Sequence, residues 1–342
     1  MIIFLVAFFI RKAGIDSSAK DIPLLSPVSE SFFNKNGSEI LKQAGIEISG
    51  SLIEEENALV ATLSSGTTVF FKKGEKIAVI GELANSKRDL LGSWKAAGDW
   101  NFIKSILDEL KEYNGEKNVL YAEGCKKMGD DRTGFAQAMA TARRADNIVM
   151  VIGEDAEWTG EAASRSNINI PGVQTELLEQ LKTLKKPSVV VLMNGRPLVL
   201  AEENKLADAI LEAWFPGTMG GKAVTHVLFG EYNPSGKLTM TFPLNLGQVP
   251  IFYYEKNTGR PIYLENDKYK SKYLDSPNDP LFPFGFGLSY TTFEYSNFKI
   301  SKNTITPNDK ITISADVKNT GCLLYTSPSP RDRTRSRMPS SA

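Results

Sequence analysis

The sequence predicts an α/β fold in which an open, mostly parallel sheet is sandwiched by helices and followed by the start of a β-sandwich. Three features predict it. Short runs rich in Val and Ile, each closely followed by glycine, recur between residues 76 and 217; continuous apolar runs of this kind suit strands buried on both faces. Stretches with one apolar helical face lie between them. Beyond Thr291 the apolar period becomes that of a half-buried strand.

The first strand is expected at residues 77–80, closed by Gly81, and the second at 148–152, closed by Gly153. A third, at 188–193, ends at Asn194–Gly195, and a fourth, at 209–214, ends at Pro216–Gly217. Ahead of the second strand, Phe135, Ala138, Met139 and Ala142 share a helical face. Ahead of the third, residues 174–185 are predicted helical, with Val173, Leu177, Leu178, Leu181 and Leu184 on one side. Glu176 and Glu179 lie towards its start and Lys182, Lys185 and Lys186 at its end, an order that complements the helix dipole. Pro187 is expected to stop it, because the residue before proline is pushed out of the helical region. Strand and helix in this rhythm read as an open α/β layer structure.

After Gly236 the rhythm is lost, and Tyr, Phe, Pro and Asn dominate an extended, aromatic-anchored arm up to residue 290. The glycines of FPFGFG (282–287) read as backbone turns within it. Further on, Ile311, Ile313, Ala315 and Val317 alternate, bounded by Asn319–Thr320–Gly321. Two or three such strands begin a sandwich and leave its edges exposed.

With 342 residues, 42% of them hydrophobic, the chain is long enough for two domains with cores of their own. Lys plus Arg number 40 and Asp plus Glu number 40, so no basic field exists to hold a phosphate backbone, and nucleic acid is not an expected partner. One histidine, His226, and two cysteines, Cys125 and Cys322, exclude both a Cys/His zinc cage and a disulfide framework built within the chain. His226 reads as a helix-surface or packing residue and Cys125 as a small buried one. Met193 and Trp214 fall in core strands. No metal or cofactor is expected, and the chemistry rests on carboxylates.

The two ends read differently. MIIFLVAFFI (1–10) is too short to span a bilayer and lacks the preceding basic residues of an export signal. It reads as a truncated or misread start, with no membrane span expected, and residues 1–71 carry no motif that assigns them a role. Residues 322–342, CLLYTSPSPRDRTRSRMPSSA, have no apolar period and read as the in-frame translation of a sequencing-library adapter. The natural sequence is accordingly expected to stop near Gly321.

In an open parallel sheet, ligands bind at the carboxyl ends of the strands. The loop after the second strand, GEDAEWTGEAASR (153–165), gathers Glu154, Asp155, Glu157 and Glu161 with Trp158 and Arg165. A carboxylic acid beside an aromatic ring suits sugar chemistry, the acid protonating a glycosidic oxygen and the ring stacking on the sugar. On spacing alone, a solvated acidic loop explains the same residues. Neither GxGxxG nor GxxxxGK[ST] follows any of the strands, which argues against a nucleotide site.

Several motifs then coincide in order: KIAVIG (76–81) and DLLGSW (89–94), GEAASR (160–165), VLMNGRPL (191–198), WFPGTMGG (214–221), FGEYNPSGKLTMTFP (229–243), NTGRP (257–261) and FPFGFGLSYTTF (282–293). Across residues 72–321 the chain resembles the C-terminal part of a glycoside hydrolase family 3 β-glucosidase. The resemblance implies a barrel supplying a catalytic aspartate, an α/β sandwich supplying the acid/base glutamate, and a fibronectin type III-like β-sandwich. Here residues 72–245 match the α/β sandwich, 246–290 the arm and 291–321 the beginning of the fibronectin type III-like domain; the N-terminal barrel has no counterpart.

Carried onto this sequence, the acid/base role falls on Glu161, with Glu157 as the second candidate. Trp158 and Arg165 are implied to line the leaving-group side, the arginine being equally suited to brace the loop as an ion pair. Glu161 is expected to be partly buried against Trp158 and the barrel. The implied function is that of a fragment of a retaining, exo-acting β-glucosidase that hydrolyses terminal β-D-glucosyl residues. Its implied partners are a β-glucoside or oligosaccharide substrate and the missing barrel, its parent is periplasmic or secreted, and the chain alone is expected to be inactive. The alternative is a stand-alone, non-catalytic α/β module that binds carbohydrate or protein.

Overall fold

The computed structural model describes residues 61–64, 71–256, 259–260, 268–290, 293–304, 306 and 310–320. Most of residues 1–71, Cys322, the adapter-like tail and most of the NTGRP motif lie outside the described residues. The described residues fall into two compact units, one reaching Tyr290 and one starting at Phe293.

The strands of the first unit are β1 (Ala61–Ser64), β2 (Ile77–Ile80), β3 (Val119–Ala122), β4 (Asn147–Gly153), β5 (Ser188–Met193) and β6 (Ala209–Glu212). They form one sheet in the order β1-β6-β5-β4-β2-β3, with β1 antiparallel to β6 and every other pairing parallel. Every residue of β2, β4, β5 and β6 is buried, which is why these four read as mainly apolar runs, with polar residues only at their ends. The helices are α1 (Lys87–Leu91), α2 (Ile106–Asn114), α3 (Phe135–Arg143), α4 (Gln174–Lys182), α5 (Ala201–Leu206) and α6 (Gly220–Leu228).

Two cores flank the sheet. On one face Phe135, Ala138 and Ala142 of α3 and Leu177, Leu178 and Leu181 of α4 pack on Ile148, Met150 and Ile152. On the other, Ile106 and Leu110 of α2 and Val224 and Val227 of α6 pack on Val149, Val151 and Val191. Each fully buried aliphatic side chain contributes about 1.5–3 kcal/mol from burial, before the cost of ordering the chain. A reciprocal cap starts α2: Ser105 accepts from the Asp108 N–H, and Asp108 accepts from the Ser105 N–H.

Several details differ from the sequence reading. Strand β3 has no counterpart in it, because its two central residues are only half-buried and the apolar run is correspondingly weak. Strand β6 stops at Glu212 rather than continuing to Trp214, whose φ of +51° turns the chain out of the sheet. Helix α4 ends at Lys182, ahead of Pro187, in a tight turn where the Leu184 and Lys185 N–H groups donate to Leu181 and Lys182, and Lys185 is left-handed. Lys186 does not serve its own helix. Its Nζ donates to the Ala142 and Arg143 carbonyls at the end of α3, at 3.0 and 2.7 Å, and to Ala145.

The arm folds back on the sheet unit through its aromatic residues. Phe242 and Phe282 exchange backbone hydrogen bonds and are both buried, and Tyr253 stacks on Phe284 at 4.1 Å. In the second unit, β7 (Phe293–Ile300) pairs antiparallel with β8 (Ile313–Asn319). The expected alternation holds for Ile311, Ile313 and Ala315, which are half-buried, whereas Val317 is exposed. A two-stranded pair is by itself only marginally stable in water.

Candidate active site

The site forms where β4 leaves the sheet. Gly153 has φ +142°, and a Cβ there would lie 1.8 Å from the Met193 carbonyl oxygen, so only glycine lets the two backbones meet. The chain then turns over the carboxyl edge, and Glu154 is its first side chain. Glu154 is 0% exposed, and its Oε1 lies 2.5 Å from Arg165 Nη1 and 3.2 Å from Arg196 Nε, the latter an ion-pair contact off the hydrogen-bond direction. The Gly195 N–H donates to Oε2 at 3.3 Å.

Both arginines pass the anchor on to the loop. Arg196 Nη2 donates to the Ala163 carbonyl at 2.9 Å and to that of Trp158. Arg165 Nη2 donates to Asn169 at 3.4 Å, and the Arg165 guanidinium lies 4.7 Å over the Trp158 ring. In this geometry Arg165 braces the loop, one of the two roles its sequence position allowed.

A second brace holds the 3-10 turn Ala156–Trp158. Lys127 Nζ sits 2.7 Å from Asp155 Oδ2 and 2.7 Å from Oδ2 of the buried Asp89. Asp89 Oδ1 accepts from the Ala156 N–H at 2.9 Å, and its Oδ2 accepts from Ser86 Oγ at 2.6 Å. Burial by itself would push Asp155 up, but the Lys127 hydrogen bond and the Glu157 N–H outweigh it and hold the carboxyl below the ordinary range. Gln174, at the start of α4, ties the returning chain by accepting from the Gly153 N–H and donating to the Gly153, Pro171 and Lys127 carbonyls.

At the tip, Gly160 has φ +106°, and a Cβ there would lie 3.0 Å from Trp94 Nε1 and from Ser93 Oγ. Ala162 follows in the left-handed region at φ +57°, a conformation that costs a non-glycine residue about 1–3 kcal/mol. Glu161 stands between them. It is exposed, and among the described residues it makes no hydrogen bond or ion pair, while the other loop carboxylates are engaged: Glu154 and Asp155 as above, and Glu157 by Arg88 Nη2 at 2.7 Å. Trp94, 75% exposed, brings its indole beside Gly160 from the loop after α1.

Sequence reasoning placed Glu154 among solvated loop acids and passed over Arg196, Lys127, Asp89 and Gln174. The signal for Arg196 was its place in the NGRP turn after β5, since β4 and β5 are adjacent and in register. Below the loop, Asn194 and Glu212 extend the buried polar edge across β5 and β6. Away from it, Cys125 is buried, its thiol pushed up to about 11 mainly by desolvation, and His226 is half-buried on α6 beside the Tyr113 ring. Among the described residues no cluster of three or more His, Cys, Asp or Glu side chains is placed to hold a metal, and no helix is long and apolar enough to cross a membrane.

Comparison with known proteins identifies this architecture. The sequence profile of the glycosyl hydrolase family 3 C-terminal domain matches residues 70–290. The chain is 45% identical over 276 residues to the periplasmic beta-glucosidase of Salmonella typhimurium, covering 74% of this chain and 36% of that protein. It is 41% identical over 254 residues to a beta-xylosidase of Formosa agariphila, covering 73% and 34%. Among solved structures, the beta-glucosidase of Listeria innocua superposes with a TM-score of 0.66 at 37% identity, over 71% of this chain and 33% of that one. The chain thus spans about a third of the length of the relatives it matches. On these matches and this fold, the chain belongs to glycoside hydrolase family 3 and carries that family's C-terminal α/β domain.

Proposed function

We propose that the chain is the acid/base half of a retaining, exo-acting β-glucosidase, with Glu161 as the acid/base residue. The observation that carries this reading is the contrast within one loop. Glu154, Asp155 and Glu157 are each committed to a cation, and Glu161, on a backbone bent at Gly160 and Ala162, is the one loop carboxylate without a partner among the described residues. Glu157, the second candidate, is already ion-paired with Arg88.

In a retaining mechanism two carboxyl groups stand about 5–5.5 Å apart; one attacks the sugar and the other protonates the departing oxygen, then deprotonates water. Glu161 takes the second role. An N-terminal barrel supplies the first, in keeping with relatives of which the matched part is only about a third. Trp94, exposed beside the tip, gives that second domain or a sugar an aromatic surface to cover. Residues 291–321 are the beginning of the fibronectin type III-like domain, and the parent enzyme is periplasmic or secreted, as the name of the Salmonella relative suggests.

The test is turnover of an aryl β-glucoside by the purified chain, and by the same chain joined to the N-terminal part of a full-length relative such as the Salmonella beta-glucosidase. The expected result is no turnover alone and clear turnover once joined. Turnover by the chain alone, abolished in Glu161→Gln, would overturn the division of labour. Binding of a sugar without turnover in either form would favour the non-catalytic module.

A further inference from the structure

Glu212, the last residue of β6, is fully buried, and none of the chemistry above uses it. Leu192 is in register with both Ile152 and Glu212, so Glu154, Asn194 and Glu212 lie along one sheet face at its carboxyl edge. Glu212 Oε1 accepts from the Trp214 N–H at 2.8 Å. Its Oε2 has no hydrogen-bond partner among the described residues, and neither has Oδ1 of Asn194, whose side chain lies beside the same carboxyl. The amide cannot turn over to correct this. Asn194 Nδ2 donates to the Arg196 carbonyl at 2.8 Å, and turning it would set two acceptors against each other.

The charges facing Glu212 do not rescue an ionised form. Glu154 is negative, Arg165 and Arg196 meet Glu154 from the loop side, and neither guanidinium hydrogen-bonds Glu212. A carboxylate here would be a buried charge whose Oε2 has no donor among the described residues, next to an orphaned amide oxygen. One proton on Oε2 satisfies both orphans at once.

We propose that Glu212 is a positioning residue held as a neutral carboxylic acid, its Oε2–H donating to Asn194 Oδ1, and that this pair fixes the 194–196 turn beneath Glu154. Burial, and after it the charge of Glu154, push the Glu212 carboxyl up to about 8, although the Trp214 N–H favours the ionised form. The turn it fixes carries the Gly195 N–H and the Arg196 side chain, both of which hold the loop.

The experiment is a carbon-13 NMR titration of the full 342-residue chain labelled at its glutamate carboxyls, read together with the Gly195 amide, in the wild type and in Glu212→Gln. The expected result is a carboxyl signal, absent from the variant, with a midpoint above about pH 7, well beyond the ordinary glutamate value. The Gly195 amide should shift with the same midpoint, and not in the variant. A Glu212 signal in the ordinary carboxylate range overturns the neutral acid, and a Gly195 shift that persists in Glu212→Gln overturns the positioning role. Should the variant fail to fold, the wild type decides: a carboxyl titrating above about pH 7 in step with Gly195 supports the proposal, and its absence overturns it.

Discussion

Glu154 and Glu161 belong to one loop and one residue type, yet one is sealed at the loop's base and the other is presented at its tip. Strand register makes the difference. The step from β4 to β5 puts Glu154 over the Gly195–Arg196 turn, where two guanidinium groups and a backbone N–H receive it. At the tip, Gly160 and Ala162 turn the backbone so that Glu161 meets no donor among the described residues. A fixed charge at the base makes a rigid platform, and a rigid platform is what lets a free carboxyl act at a defined place.

The largest effect on stability should come from breaking the base. Glu154→Leu leaves Arg165 and Arg196 without their shared carboxylate and is expected to cost about 3–5 kcal/mol, towards the lower end because both arginines keep some solvent contact. Urea unfolding measures it. Glu161→Gln in the same assay should stay within about 0.5 kcal/mol, as for an exposed residue without partners.

A pH series sharpens the comparison next. Burial pushes the Glu212 carboxyl up to about 8, so the folded chain is expected to keep its proton well above the ordinary glutamate value of about 4.3 at which the unfolded chain releases it. The folded state therefore binds more protons within that window. The contribution of Glu212 is fully present below the window and falls as pH rises through it, by at most about 1.4 kcal/mol per pH unit. Urea midpoints of Glu212→Gln should lack this component of the alkaline loss.

How much of this was legible follows the same division. The apolar strands announced themselves because burial on both faces leaves few polar residues in the run, as in 189–193, while half-buried β3 did not. The motif GEAASR located the tip. The base was hidden because an acidic side chain in a loop signals exposure, and its reversal depends on Arg196, which only the pairing of β4 with β5 brings near. Lys186 misled for a related reason: its position suggested the end of α4, and packing gave it the end of α3.

Smaller effects probe the turn and the second candidate. Gly160→Ala forces a methyl group towards Trp94 at a strained φ and should cost roughly 1–3 kcal/mol, seen as a lower thermal midpoint. Glu157→Gln removes an exposed ion pair with Arg88 and should change stability by no more than about 1 kcal/mol in urea unfolding.

The most direct measurement of the central claim compares Glu161→Gln with Glu157→Gln in the chain joined to the proposed barrel domain, on an aryl β-glucoside, with and without azide. Loss of an acid/base group should lower turnover about 10²–10⁴-fold for a leaving group that needs protonation. Azide, which needs no base, should restore turnover of a substrate with a good leaving group and give the β-glucosyl azide. The account predicts this signature for Glu161→Gln alone. The same signature in Glu157→Gln, with Glu161→Gln near wild type, would contradict it.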